Sequence, residues 1–383
     1  MFAYFSSLPS LVLTSILLVD MGESFGQPVG VMAQMQTLSS LVGTLSAFAV
    51  GVLCVRYNAK AILLAGLAVL GLSALGCGSA PTLSILLIFY ALTGLGMAMV
   101  DPMVGALTAD FFDVDERARV IGLMGAGGGL SYILGSLVIG YVASVSGWRT
   151  AFLGYAMVLP LLGALLSHMA LPSTGKPQSG GGGAIEGFRE IYTNRSAMAC
   201  LLGNLLTSAM AQGIYVYSFS FLRERFMVAP GWTGVVSSAA SVLFLLGSVA
   251  SGWLIERHGR KRVAVVGALL LSVITLYTRL PILWISVASI VVGHFFGALR
   301  FSANNSLSLE QVPDYRGSMM SMNSAAYRIG GALGTGLGGI VLVLHSWEAL
   351  GAALALVGIS GMLVYHLLSA DPVDTQQMKN GPA

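Results

Sequence analysis

The chain has 383 residues, 56% of them hydrophobic and only 9% charged, where an ordinary soluble domain is roughly a quarter charged. Its 19 basic and 16 acidic side chains cannot cover a water-soluble protein of this size, and apolar runs of about 20 residues recur throughout. A net charge of +3 on scattered cations excludes a nucleic-acid surface, and three cysteines without ligand spacing, Cys54, Cys77 and Cys200, exclude a disulfide framework or a metal centre.

A helix rising 1.5 Å per residue needs about 20 apolar residues to cross roughly 30 Å of hydrocarbon. That rule predicts twelve spans, at 8–28, 31–55, 61–79, 82–109, 120–146, 150–171, 197–222, 232–255, 263–278, 282–309, 317–343 and 347–369. Helices are expected because backbone groups in lipid must be satisfied within their own segment, and the alternation of a barrel strand is absent. The first span lacks a basic leader and a cleavage site, so it reads as retained. The longest connection, 172–196, opens with a segment containing Gly180-Gly181-Gly182-Gly183, the composition of a flexible linker. The expected organisation is a bundle at 1–171, a cytoplasmic linker at 172–196, a second bundle at 197–369 and a tail at 370–383. With both termini in the cytosol, thirteen Lys and Arg fall inside and four (Arg149, Arg223, Arg225, Arg279) outside, as the positive-inside rule requires.

Ionisable side chains inside a span are costly, roughly 2.5 to 3.5 kcal/mol at mid-membrane, and each is a functional candidate. Asp20 and Glu23 lie one turn apart on the first span, with Ser24 and Gln27 continuing that face; two carboxyl groups so placed can form a proton carrier. Asp101 precedes Pro102 on the fourth span, while Arg300 and Arg328 lie on the tenth and eleventh. The seventh carries a neutral stripe of Asn204, Ser208, Gln212 and Tyr215 at helical spacing, and the tenth adds Asn304 and His294. Histidine is the residue type that titrates near neutral pH, so His294 is a relay candidate.

Shifting the chain against itself by about 200 residues brings Gly51, Arg56 and Lys60 onto Gly252, Arg257 and Lys261. An offset of 199 also brings Gly94 onto Gly293, Asp101 onto Arg300, Gly135 onto Gly334 and Trp148 onto Trp347. Two structural repeats are expected. Asp101 and Arg300, at equivalent places, are candidates for a charge pair.

With those elements in view, the sequence resembles the major facilitator superfamily along essentially its whole length. Gly252-Trp-Leu-Ile-Glu256-Arg257-His-Gly259-Arg260-Lys261 matches the family's loop signature at every specified position. Its first-half copy, at Gly51, Arg56 and Lys60, has Val55 for the acid and Asn58-Ala59 for the Gly-Arg pair. The nearest pattern is that of the drug and metabolite:proton antiporters, although Tyr90 stands where that group has arginine and Ser136 where its glycine-rich signature has proline. The resemblance implies an all-α membrane fold of twelve helices in two pseudo-symmetric six-helix bundles. It also implies a cavity lined by spans 1, 4, 7 and 10, hence by Gln27, Asp101, Asn204, Ser208, Gln212, Tyr215, His294, Arg300 and Asn304, with Arg328 nearby. The two loops would gate the cytoplasmic face, with Gly252 allowing close helix approach.

No nucleotide-binding or hydrolytic motif accompanies these features, so the expected protein is not an enzyme and takes no cofactor. It is expected to be a monomeric secondary transporter of the prokaryotic inner membrane, carrying small organic solutes by proton-coupled export. The alternatives are uptake of an organic anion with Arg300 and Arg328 as counter-charges, and a receptor or enzyme on a transporter scaffold. Its partners are a small solute, protons and the lipid bilayer.

Overall fold

Because a backbone N–H or C=O left unpaired in hydrocarbon costs several kcal/mol, apolar runs of this length must close their hydrogen bonds internally. The structure, a computed structural model, describes residues 1–112, 114–171, 184–280 and 282–372, excepting the side chains of 48, 51, 52, 54–56, 109, 110, 114–119, 121, 122, 125, 126 and 184–186. The chain is helical throughout these residues. In order the helices are α1 (Phe2–Ser7), α2 (Pro9–Phe25), α3 (Val29–Met32), α4 (Gln34–Arg56), α5 (Ala59–Ser79), α6 (Leu83–Phe111), α7 (Val114–Ser146), α8 (Trp148–Ala151) and α9 (Val158–Ala170). They continue as α10 (Ala184–Thr193), α11 (Arg195–Phe226), α12 (Pro230–His258), α13 (Arg260–Ile274), α14 (Leu283–Leu309), α15 (Arg316–Leu344) and α16 (Trp347–Leu368).

Eleven helical runs among the described residues are long and apolar enough to cross a membrane. They match the expected spans except 31–55, which coincides with α4, a 23-residue helix outside the eleven. The first span starts earlier than its apolar run predicts. It begins at Phe2, breaks at Leu8 where Pro9 opens α2, and closes at Gly26 in the left-handed conformation (φ 62°). Proline lacks the N–H that the preceding turn would bond, which places the break. The linker also differs: residues 172–183 lie outside the described residues, but 184–193 form α10, which docks through buried Ile191. Residues 373–383 of the tail lie outside the description too.

Contacts divide the chain into two units, Met1–Gly180 with Phe219–Ser241, and Gly181–Ser218 with Val242–Ala383. In the first, Leu63, Leu67 and Leu70 of α5 pack on Met97, Val100 and Met103 of α6. There α4 and α6 approach so closely that a Cβ on Gly94 would overlap the Ser39 carbonyl oxygen, small-residue packing of the kind that joins helices in lipid. In the second, Cys200 and Leu201 of α11 pack with Leu307 of α14 and Met319 of α15. Large apolar side chains such as Leu45, Val249, Trp284 and Leu356 point outward, more than 60% exposed, as lipid-facing residues do.

Candidate functional site

Within the first unit, Asp20 occupies the penultimate turn of α2, not mid-helix, and is met by Arg223 from the last turn of α11. The guanidinium grips both carboxylate oxygens: Nη2 donates to Oδ1 at 2.7 Å and Nη1 to Oδ2, while Nη1 also reaches the Ile16 carbonyl at 3.4 Å. Bidentate arginine–carboxylate pairs are among the strongest polar contacts in proteins. The Arg223 side chain is 9% exposed and that of Asp20 23%. Counting Arg223 as a loop cation therefore misplaced it. Its Cα lies at a helix end, but its guanidinium reaches across to α2, to Asp20 and to the Ile16 carbonyl one turn earlier.

Beside this pair opens a cleft of about 490 Å³, lined by Glu23, Gln27, Arg223, Glu224, Met227 and Pro230 among others. Glu23 and Gln27 are exposed in it. Asp20 and Glu23 thus share a helical face but not a role, since one is held by a guanidinium and the other faces open space. Ser24, next on that helix, accepts from Trp148 Nε1 at 2.8 Å. Farther along the unit, Asp101 is half-buried on α6 just before Pro102.

In the second unit the neutral stripe of α11 becomes an interhelical network. Asn204 Nδ2 donates to the Asn323 carbonyl and to its Oδ1, both at 2.9 Å, and Ser208 Oγ donates to Asn204 Oδ1 at 2.9 Å. Asn304 Nδ2 donates to Asn323 Oδ1 at 3.2 Å and Oδ1 of Asn304 accepts from the Tyr365 hydroxyl at 2.6 Å. Asn323, which the sequence analysis did not single out, is the hub. Gln212 Nε2 donates to the Tyr327 hydroxyl at 2.7 Å, and the Tyr215 ring stacks on His294 at 4.3 Å. His294 Nδ1 lies 2.8 Å from the Ile290 carbonyl; a carbonyl only accepts, so that nitrogen carries the proton. Arg300 is 2% exposed, donating from Nη1 to Thr207 Oγ1 at 2.8 Å and Ser208 Oγ at 3.5 Å. Arg328 is half-buried on α15.

The loop signature resolves into two kinds of glycine. Gly259 holds φ 84°, which permits the turn from α12 into α13; L-residues rarely adopt that conformation. Gly252 does not provide the expected close approach, because a Cβ there would meet nothing within 4 Å. It is exposed, as are Glu256 and Arg257, the latter over the Trp253 ring at 5.4 Å. Arg260 and Lys261 start α13, and their backbone N–H groups donate to Asp371 Oδ2 at 3.1 and 3.4 Å. A carboxylate there satisfies the helix N-terminus. Lys261 Nζ also donates to the Ser369 carbonyl at 2.7 Å, just past α16.

In the first-half copy, Asn58 does the capping itself by accepting from Ala61 N at 2.8 Å. Lys60 Nζ donates to the carbonyls of His168, at 2.9 Å, and Leu171, at the end of α9. Each motif lysine therefore clamps the last helix of its own half. Gly51 and Arg56 belong to α4, and the surroundings of Gly51 and the side chain of Arg56 lie outside the described residues.

The family model for the Major Facilitator Superfamily matches residues 1–226 and 201–382. The chain belongs to the major facilitator superfamily. It is a transporter, not an enzyme, and its activity is secondary transport of small solutes across a membrane. Among relatives within this superfamily, the uncharacterized MFS-type transporter YceJ of Bacillus subtilis is 24% identical over 366 residues, covering 93% of this chain and 92% of its own. Multidrug resistance protein 1 of Bacillus subtilis is 24% identical over 353 residues, 87% of this chain and 89% of its own. The fold is similar to that of a bacterial homologue of the human lysosomal transporter Spinster, solved inward-facing and unoccupied, with a TM-score of 0.76 at 17% identity over 95% of this chain and 91% of that one.

Proposed function

We propose that this protein is a proton-coupled exporter of small organic solutes, in the manner of the drug and metabolite:proton antiporters. It acts as a monomer of twelve spans, α4 supplying the twelfth, arranged as two pseudo-symmetric six-helix bundles. Both termini lie in the cytosol beneath a prokaryotic inner membrane. The observation that carries this reading is the Asp20–Arg223 pair beside Glu23 at the edge of an open cleft. A proton on Asp20 removes the charge that Arg223 grips, so the bidentate contact between α2 and α11 loosens, and loss of the proton restores it. Glu23, exposed one turn along, passes protons between the cleft and Asp20. Asp101 is assigned to the same coupling. Gln27 and the polar residues of α11, α14 and α15 line the solute path, and the 51–60 and 252–261 loops gate the cytoplasmic face. The likeness to a multidrug resistance protein over most of both chains supports export.

The test is transport in everted membrane vesicles carrying the wild type or the amide variants Asp20→Asn, Glu23→Gln and their combination. Acidifying the lumen should drive solute in with the wild type. Asp20→Asn should abolish that accumulation while leaving solute exchange without a gradient. Undiminished proton-driven uptake in the double variant would overturn the assignment.

A further inference from the structure

Among the described residues, the guanidinium of Arg300 uses only one of its edges. Nη1 is committed to Thr207 and Ser208, whereas Nε is buried with no hydrogen-bond partner and Nη2 has none among the described residues. Among the described residues no carboxylate of its own unit pairs with it. The Nε–H and neighbouring Nη2–H bonds of an arginine point in parallel, at the spacing of two carboxylate oxygens. A second unfilled donor lies close by, since the Tyr215 hydroxyl is buried without a partner. A Cβ on Gly297 would overlap that hydroxyl, which places it against the turn of α14 carrying Arg300, three residues on and on the same face. The Tyr215 ring is fixed there by stacking on His294, another turn back.

An unpaired cation buried in a membrane interior is costly, and unmet buried donors add to that cost. The Tyr215 hydroxyl lies against the same turn of α14 that carries Arg300, and one planar anion would meet both needs. We propose that the Nε–Nη2 edge of Arg300 and the Tyr215 hydroxyl form a carboxylate subsite, so that the transported solutes include organic acids. A carboxylate fits both counts: one negative charge offsets one guanidinium, and its two oxygens take the fork while one also accepts from the tyrosine. This rests on the transporter reading for its meaning, but binding is measurable without transport.

Purified protein in detergent is titrated with acetate, octanoate and benzoate, and with acetamide, octanamide and benzamide, following thermal unfolding and calorimetric heat. At least one acid should raise the unfolding temperature in a saturable way while its amide does not. Arg300→Lys keeps the charge but loses the fork, and Tyr215→Phe keeps the ring stack but loses the donor; each should weaken binding about tenfold or more, equivalent to about 1.4 kcal/mol. Tyr215→Phe leaves the buried guanidinium in place, so it reports on the subsite even if the arginine variant does not fold. No saturable acid, equal binding of the amides, or unchanged affinity in a folded Tyr215→Phe variant would each overturn the subsite. Loss of proton drive in vesicles with acid binding intact would instead overturn the coupling reading alone.

Discussion

At the scale of single residues, the chemistry turns on which charges meet a partner. Asp20 was legible because a carboxylate in an apolar run has no innocent explanation. Arg223 was not, because at the end of a span a cation counts toward topology, and only the fold shows which carboxylate it meets. Asp371 escaped for another reason: it follows the last span by three residues, and nothing local says that the chain there returns to cap α13. The Asp20–Arg223 contact makes a direct prediction. Asp20→Asn or Arg223→Gln alone strands a charge that is mostly out of water, whereas the double variant strands none. Each single change should lower stability by less than the roughly 3–5 kcal/mol of a fully buried pair, because Asp20 keeps 23% exposure. The double variant should lose clearly less than the two singles added, as judged by denaturation in detergent. Plain additivity would mean that the pair contributes no coupling.

At the scale of elements, the repeat was read from coincidences that are not all equivalent in space. Gly94 and Gly293 align in sequence, yet a side chain at Gly94 would strike backbone while one at Gly293 would meet only the Ile274 and Leu271 side chains at ordinary contact distance. Trp148 and Trp347 do share a job, each opening the last span of its half. Lys60 and Lys261 share another, each donating to carbonyls at the end of that span. Small residues recur too often in membrane helices for their alignment to carry weight; a lysine that must reach a helix end is a rarer constraint. The two glycines of one signature separate the same way. Gly259→Ala should destabilise by about 1–3 kcal/mol, the cost of forcing a Cβ into a conformation reserved for glycine. Gly252→Ala, in open space within α12, should be neutral or stabilising by up to about 1 kcal/mol. Comparing their melting temperatures decides it, and an equal loss in both would show that the signature glycines act through something other than backbone geometry.

For the whole molecule, apolar run length alone gave eleven of the twelve expected spans, 31–55 being the one outside them, because a bilayer leaves helices few other solutions. It misjudged the first, where the polar-looking Tyr4, Ser6 and Ser7 mask a helix already under way, with both serine hydroxyls bonded back to carbonyls one turn earlier. Helix positions do not carry the direction of insertion. The proposed orientation rests on thirteen Lys and Arg on the cytosolic side against Arg149, Arg225 and Arg279 on the other once Arg223 is set aside as the partner of Asp20, a bias that acts during insertion. The orientation predicts opposite labelling at two sites. Cys77 and Cys200 are buried, and replacing all three native cysteines gives a clean background. In intact cells an impermeant maleimide should then modify a cysteine introduced at Pro81, exposed between α5 and α6, and should not modify one at Ser179 in the long connection. Everted vesicles should reverse that pattern. Modification of Ser179→Cys from outside intact cells would invert the proposed topology, and with it the direction of transport proposed for the Asp20–Arg223 pair.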